Sequence, residues 1–238
     1  MILSIHIPKT GGVSVRNVLK EHYGEGFVLH YWQVTDAFGQ PLAEVPATAQ
    51  CVHGHFQTDQ LTGKFPNAKL ITWVRDPVER VVSSYYHRLR AHDWQHPVCQ
   101  ELHAKKLSVG EYAALPEVRN EMSHFFGSKQ PEDFHFIGLM EEFDVSFACM
   151  TKILGLPPAA ARRDNVNPEK KSANYELDCS VRRAILQLNE QDVNLYARCR
   201  EHWKNMVGRL GYLKVLSAAG FILTQIGSND ADYLSMLG

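Results

Sequence analysis

Residues 2–7 form a short apolar run that stops at Pro8-Lys9-Thr10-Gly11-Gly12, and from Val13 the pattern turns helical through Val15, Val18, Leu19 and His22. Such a change of period within a few residues demands a strand, a tight loop and a helix. Two adjacent glycines let the loop turn sharply and lie close to a ligand, while the helix start directs unpaired amides at it. Lys9 adds a full positive charge, and Thr10 and Ser14 add hydroxyls. This is an anion site by composition, but it is neither GxxxxGK[ST] nor GxGxxG, because the lysine precedes the glycines. The same residues also fit a plain strand-to-helix turn with a solvated lysine.

Further strands are expected over 27–32, 50–53, 69–74 and 134–139. Asp76 and Pro77 open a helix whose stripe is Val78, Val81, Val82, Tyr85 and Leu89. Short helices are expected over 109–115 and 118–126, and a longer one over 145–154, before Gly155 and Pro157. Residues 162–175 are polar and turn-rich, a loop, and 181–210 read as helix with one break. Strands alternating with helices predict an α/β fold: a mostly parallel sheet, helices on both faces, and a single domain over 1–238. Ligands of such sheets bind beyond the carboxyl ends of the strands.

The 25 basic and 26 acidic residues leave a formal charge of −1, which argues against a broad grip on nucleic acid. Five widely spaced cysteines without a CxxC pair suggest reduced thiols, several of them core residues. The first residues lack the pattern of a secretion signal, and the apolar stretch 215–226 is too short to span a bilayer. A soluble cytoplasmic protein is the expectation.

Two further strand ends carry candidate chemistry. Arg75 ends a buried strand, where an unpaired cation is costly, so a carboxylate or a ligand phosphate should meet it. Ser83, two helical turns on, can serve the same anion. Alternatively, Arg75 pairs with Asp76 or Glu79, and Ser83 faces a neighbouring helix. In Cys51-Val52-His53-Gly54-His55, two imidazoles flank a glycine, and either can act as a general base near neutral pH. An HxHxDH metal motif fails at Gln57 and Thr58, and a pair of surface histidines fits as well.

Together these segments resemble the sulfotransferases, in particular the subgroup of carbohydrate (heparan-type 2-O) enzymes and their bacterial relatives. Ile5-His6-Ile7-Pro8-Lys9-Thr10-Gly11-Gly12-Val13-Ser14 resembles the family's 5′-phosphosulfate loop, a P-loop-like strand–loop–helix. Arg75 through Ser83 to Tyr85 resembles its 3′-phosphate motif, and His53-Gly54-His55 the segment with its catalytic histidine. Phe136 to Phe143, followed by Leu154-Gly155-Leu156, is similar to the later core, so the likeness covers roughly residues 2 to 200. It implies transfer of a sulfuryl group from 3′-phosphoadenosine 5′-phosphosulfate (PAPS) to an acceptor hydroxyl, a carbohydrate or small alcohol, with PAP as product and no metal.

By that resemblance Pro8, Lys9, Thr10, Gly11, Gly12, Val13 and Ser14 form the donor loop, and Lys9 stabilises charge on the leaving oxygen. Arg75 and Ser83 clamp the 3′-phosphate, and His55 removes the acceptor proton. His53 orients it or contacts the acceptor. Val13 stands where the family often has threonine, one hydroxyl fewer, worth ~0.5–1.5 kcal/mol. Lys170 and Lys171 are candidates for a basic flap over the nucleotide, though a solvated charged loop fits equally. Tyr31 and His87, with His53, are candidates for acceptor contact. Of the wider set Tyr31, Trp32, Tyr85, Tyr86, His87 and Trp94, most are expected in the core. Three other readings remain open: a nucleotide-dependent phosphotransferase recruiting Asp76, a PAP-binding protein without catalysis, and a metallohydrolase built on His53 and His55.

Overall fold

β1 (Ile2–Ile5) has all four residues buried, and a strand buried on both faces belongs in the middle of a sheet. It sits there in the computed structural model, which describes residues 1–91, 96–157 and 175–210. The described elements continue with α1 (Gly12–Tyr23), β2 (Phe27–His30), β3 (Val34–Thr35), β4 (Cys51–Gly54), α2 (Thr58–Thr62) and β5 (Lys69–Val74). There follow α3 (Pro77–Ala91), α4 (Pro97–Lys105), α5 (Val109–Ala113), α6 (Glu121–Phe126), β6 (Phe136–Leu139), α7 (Phe143–Leu154), α8 (Cys179–Leu188) and α9 (Glu190–Leu210).

The six strands lie in the order β3-β2-β4-β1-β5-β6. All neighbours are parallel except β3, which runs antiparallel to β2 at the edge. Ile5 stands opposite Gly54 on one side and Thr72 on the other, so the carboxyl ends of β4 and β1 are level and β5 runs two residues further, to Val74. The crossover after β1 leads toward β2 and the one after β5 toward β6. Their carboxyl ends therefore flank a topological switch point, where open α/β sheets hold ligands.

Several boundaries differ from expectation for local reasons. The run 2–7 pairs as a strand only through Ile5, although the His6 amide still donates to the Gly54 carbonyl at 2.7 Å. The second strand stops at His30 because the chain doubles back as β3. The helix expected over 118–126 starts at Glu121, after Asn120 adopts a left-handed φ of 51°. α2 and α4 went unread, though Gln57 and Gln60 form a capping box for the first and Pro97 opens the second. The single break expected in 181–210 falls at Asn189, whose side chain caps α8 through the Ile185 carbonyl and accepts from the Asn120 amide. The loop expected over 162–175 lies outside the described residues, apart from Tyr175.

Two apolar clusters hold the fold. The larger one joins β1, β4, β5 and β6 to α1, α7 and α9 through residues such as Leu3, Leu19, Ile71, Phe136, Phe147 and Trp203. The α3 stripe Val78, Val81 and Val82 instead packs with Val98, Leu102, Tyr112 and Ile185 of α4, α5 and α8 in a separate cluster. Each such side chain contributes roughly 1.5–3 kcal/mol.

Between the clusters Arg80 is fully buried. It pairs with Glu121, donates to the Val118 carbonyl at 2.9 Å and lies 3.9 Å from Asp192. Asp192 in turn accepts from the Met122 and Ser123 amides. This network fastens α3 to α6 and α9, and so fixes the helix that carries Ser83, His87 and Arg88. Cys51, Cys99, Cys149 and Cys199 are buried and Cys179 is exposed, all of them as free thiols.

Candidate active site

The loop from β1 to α1 is bent by two left-handed residues, Lys9 with φ 71° and Gly11 with φ 83°. Lysine tolerates that conformation poorly, so it is held there by its surroundings. The Thr10 hydroxyl donates to the Ile7 carbonyl at 2.8 Å, and Thr10 is buried. Its side chain thus closes the loop, an engagement that sequence reasoning had assigned to a ligand oxygen. Gly11 occupies the N-cap of α1 without a side-chain cap, so no N-cap side chain competes with another acceptor at the start of this twelve-residue helix. Gly12 has a different necessity: a Cβ there would come within 2.1 Å of His6 Nε2. Ser14 is buried in the first turn, and Pro8 and Val13 are half-buried.

Arg75, at the end of β5, donates to the Lys9 carbonyl at 3.3 Å and pairs with Glu79 at 3.3 Å. The carboxylate partner considered from sequence is therefore present, alongside a direct tie to the loop. Glu79 also accepts from the Tyr175 amide at 2.7 Å. Ser83 is buried further along α3, and His87 is exposed on the same helix. Lys9 is pushed down to about 8 by burial, then by Arg75, Arg90 and Arg88. His87 is pushed down to about 4 by burial, then by Lys9, Arg88 and Arg90. Lys9, Arg75, Arg88 and Arg90 thus share one field of like charge, which keeps the His87 ring beside them unprotonated, and an anion relieves the mutual repulsion of the cations.

Beyond β4 the His-x-His spacing places both rings on the same side of the strand. A Cβ on Gly54 would meet the His30 carbonyl oxygen at 1.7 Å, so only glycine lets β2 and β4 approach there. His53 is buried, and its Nδ1 lies 2.8 Å from Ser4 Oγ. Its Nε2 has no hydrogen-bond partner among the described residues. Burial, then His55 and Arg16, pushes His53 down to about 3. That makes it a neutral, buried ring, suited to support more than to contact with an acceptor. His55 is exposed, and burial of part of its ring, then Arg88, pushes it down to about 4. It is therefore unprotonated at neutral pH, as a base must be.

Sequence reasoning missed His6, whose ring centroid lies 4.6 Å from His55 and 5.2 Å from His53. The readable signal was Ser4 and His6, two polar residues with period two in an otherwise apolar run. Tyr31 joins the group: its hydroxyl is 3.1 Å from His6 Nδ1, and its ring stands edge-on to His55 at 4.6 Å. Arg16, Arg88 and Arg90 were also missed, because nothing local to their helices distinguishes them.

Trp32, expected in the core with the other aromatics, is 93% exposed beside Tyr31. Tyr85 does pack, with its hydroxyl on the Leu107 carbonyl, and Tyr86 stacks on Tyr175. Lys170, Lys171 and Trp94 lie outside the described residues. Asp76 caps α3 by accepting from the Glu79 amide at 3.0 Å. Among the described residues there is no group of three metal-ligating side chains. A groove of about 750 Å³, lined by Glu132, His135, Arg198 and His202, opens at the amino end of β6, away from the loop.

A model of the sulfotransferase family matches residues 1–197. Among solved structures, a sulfotransferase from Alicyclobacillus acidocaldarius aligns at 16% identity over 84% of this chain and 94% of its own, with a TM-score of 0.44. Mouse sulfotransferase SULT7A1, solved in complex with PAP, aligns at 15% identity over 80% of this chain and 63% of its own, with a TM-score of 0.39. A search of curated proteins finds no match.

Proposed function

The chain belongs to the sulfotransferase family, and from that premise we propose that it moves the sulfuryl group of PAPS to an acceptor hydroxyl with His55 as general base. The observation that carries this reading is the hydrogen bond from Arg75 to the Lys9 carbonyl. It joins two anion-seeking segments at the switch point of the sheet, within a field of cations, next to an unprotonated histidine.

PAPS supplies the activated sulfuryl group and two phosphates, and the residues present suit both. The uncapped first amides of α1 and the Ser14 hydroxyl hold the 5′-phosphate. Arg75 and Ser83 hold the 3′-phosphate, with Arg75 turning from its long contact with Glu79. His55 takes the acceptor proton as the acceptor oxygen forms its bond to sulfur. The bond from sulfur to the bridging oxygen breaks, its electron pair stays on the PAP 5′-phosphate, and Lys9 meets the growing charge. Exposed Trp32 and His87 flank this space, consistent with a ring-bearing acceptor such as a sugar. A magnesium-dependent phosphotransferase is the weaker reading, because Asp76 is already committed to capping α3.

The test is thermal stability and calorimetry with PAP, with ADP or AMP, and with ATP plus magnesium, on wild type, Arg75→Ala and His55→Ala. PAP is expected to bind best. Arg75→Ala lowers its affinity about tenfold or more, the worth of a charged hydrogen bond, while His55→Ala leaves binding intact and cuts turnover by about 10²–10⁴. A preference for ATP with magnesium would overturn the proposal.

A further inference from the structure

His6 lies between the donor loop and His55, and its hydrogen bonds decide where its proton resides. Burial raises the Tyr31 hydroxyl above its ordinary value, and the Arg16 charge partly offsets that rise. Across the 3.1 Å to His6 Nδ1 a phenol is a far stronger acid than a neutral imidazole N–H and the imidazole nitrogen the stronger base, so the shared proton is the phenol's. Nδ1 is then the acceptor, and a neutral ring carries its hydrogen on Nε2. The Cδ2–Nε2 edge lies where a Gly12 side chain would begin. One face stacks on His53, with rings 25° from parallel, and the ring tilts against His55 at 4.6 Å.

The charged and titratable groups facing it are Tyr31 at the end of β2, His53 and His55 from β4, Arg16 from α1 and Lys9 from the loop. Burial, then His53, His55, Arg16 and Lys9, holds His6 well below the usual imidazole range. A second proton on this ring would have to displace the Tyr31 donor from Nδ1 and would set a cation beside His55.

We propose that His6 is a positioning residue for sulfuryl transfer: with its proton on Nε2, set by the Tyr31 hydroxyl at Nδ1, it wedges between Gly12 and His55 and holds the base in register with the donor loop. This rests on the reading of the loop and His55 given above. It explains why the second residue of the glycine pair lacks a side chain although only Gly11 needs a left-handed φ. It also gives Tyr31 a task other than acceptor contact.

Nitrogen-15 spectra of the histidine rings, together with PAP calorimetry, test it without knowledge of the acceptor. Wild type is expected to show His6 protonated at Nε2 and unprotonated at Nδ1 from pH 5 to 8 (roughly the span over which a free imidazole titrates). Tyr31→Phe, which keeps the ring, is expected to mix the two tautomers and weaken PAP about three- to tenfold, the scale of one neutral hydrogen bond. His6→Gln, which restores an N–H near the Nε2 position, is expected to keep PAP affinity and the His55 titration close to wild type, whereas His6→Leu alters both.

A wild-type His6 protonated at Nδ1 overturns the inference, and so does a folded His6→Leu with unchanged PAP affinity and His55 titration. If His6→Leu does not fold, Tyr31→Phe decides, and wild-type tautomer and affinity in that variant overturn it. Wild type that binds no PAP removes the donor reading itself, a separate failure because the tautomer measurement uses no nucleotide.

Discussion

The Arg75 guanidinium reaches across from the end of β5 to the carbonyl of Lys9, 3.3 Å away. Lys9 therefore stands in a left-handed conformation with a cation at its back, and its own ammonium adds to the same field. The arrangement is strained in two senses, by backbone and by charge, and both strains face the place where an anion is expected.

Lys9 makes that strain measurable. Its pKa is held at about 8, against 10.5 for the free side chain, by burial and then by Arg75, Arg90 and Arg88. Between those values the unfolded chain binds the extra proton, so stability rises with pH there, and the penalty is full below about 8. Lys9→Met, which keeps the backbone strain, is expected to stabilise the unliganded protein by ~1–3 kcal/mol at neutral pH and to flatten the slope. In urea titrations at several pH values, equal stability of the two proteins throughout would contradict this. PAP binding to wild type should take up a proton near pH 8, read by calorimetry in buffers of different ionisation enthalpy.

Gly12→Ala sets a methyl into the His6 ring. Overpacking of this kind costs about 1–3 kcal/mol, measured as a lowered denaturation midpoint. Removing the ring as well, in Gly12→Ala with His6→Ala, is expected to recover most of that stability but not PAP affinity. A Gly12→Ala protein as stable as wild type would mean that the ring moves aside at no cost.

Trp32 is 93% exposed, so its removal takes little from the core. Trp32→Ala should leave stability within about 0.5 kcal/mol of wild type and PAP affinity unchanged, while raising the KM for the acceptor once one is found by screening with PAPS. A marked drop in melting temperature would return Trp32 to a packing role.

Arg80 bears on the frame and not on the chemistry. Arg80→Met strands Glu121 and Asp192 in the interior, and breaking such a buried pair costs about 3–5 kcal/mol. Burial already raises the Glu121 carboxyl above its ordinary value, so adding Glu121→Gln should restore part of the loss. A double variant no better than the single one, by urea unfolding, would show that the charge of Glu121 is not what is stranded.

The fold class was legible because alternating strand and helix periods leave few topologies, and right-handed crossovers prune those further. Lys9, Arg75, Ser83 and His55 stood out as candidates in the sequence because each sits at the end of a strand or on the helix that follows one. His6 showed only as a polar residue in an apolar strand, and its importance depends on Tyr31 and Gly12, which approach it from other elements. The α3 stripe was readable, but not the fact that it faces α4, α5 and α8 instead of the sheet. Hydrophobic periodicity says which side of a helix is buried, never against what.

The chain's own pattern determined the strand order of events: an apolar run, a glycine turn, a helix start with open amides, and cations and imidazoles at later strand ends. Those are local matters of propensity, period and backbone freedom. The tertiary structure alone decided that Arg75 touches Lys9, that His6 lies over Gly12, that Thr10 closes its own loop and that Trp32 faces solvent. Each depends on which strands become neighbours and in what register, a choice made by burial summed over the whole sheet and not by any residue's immediate neighbours in sequence.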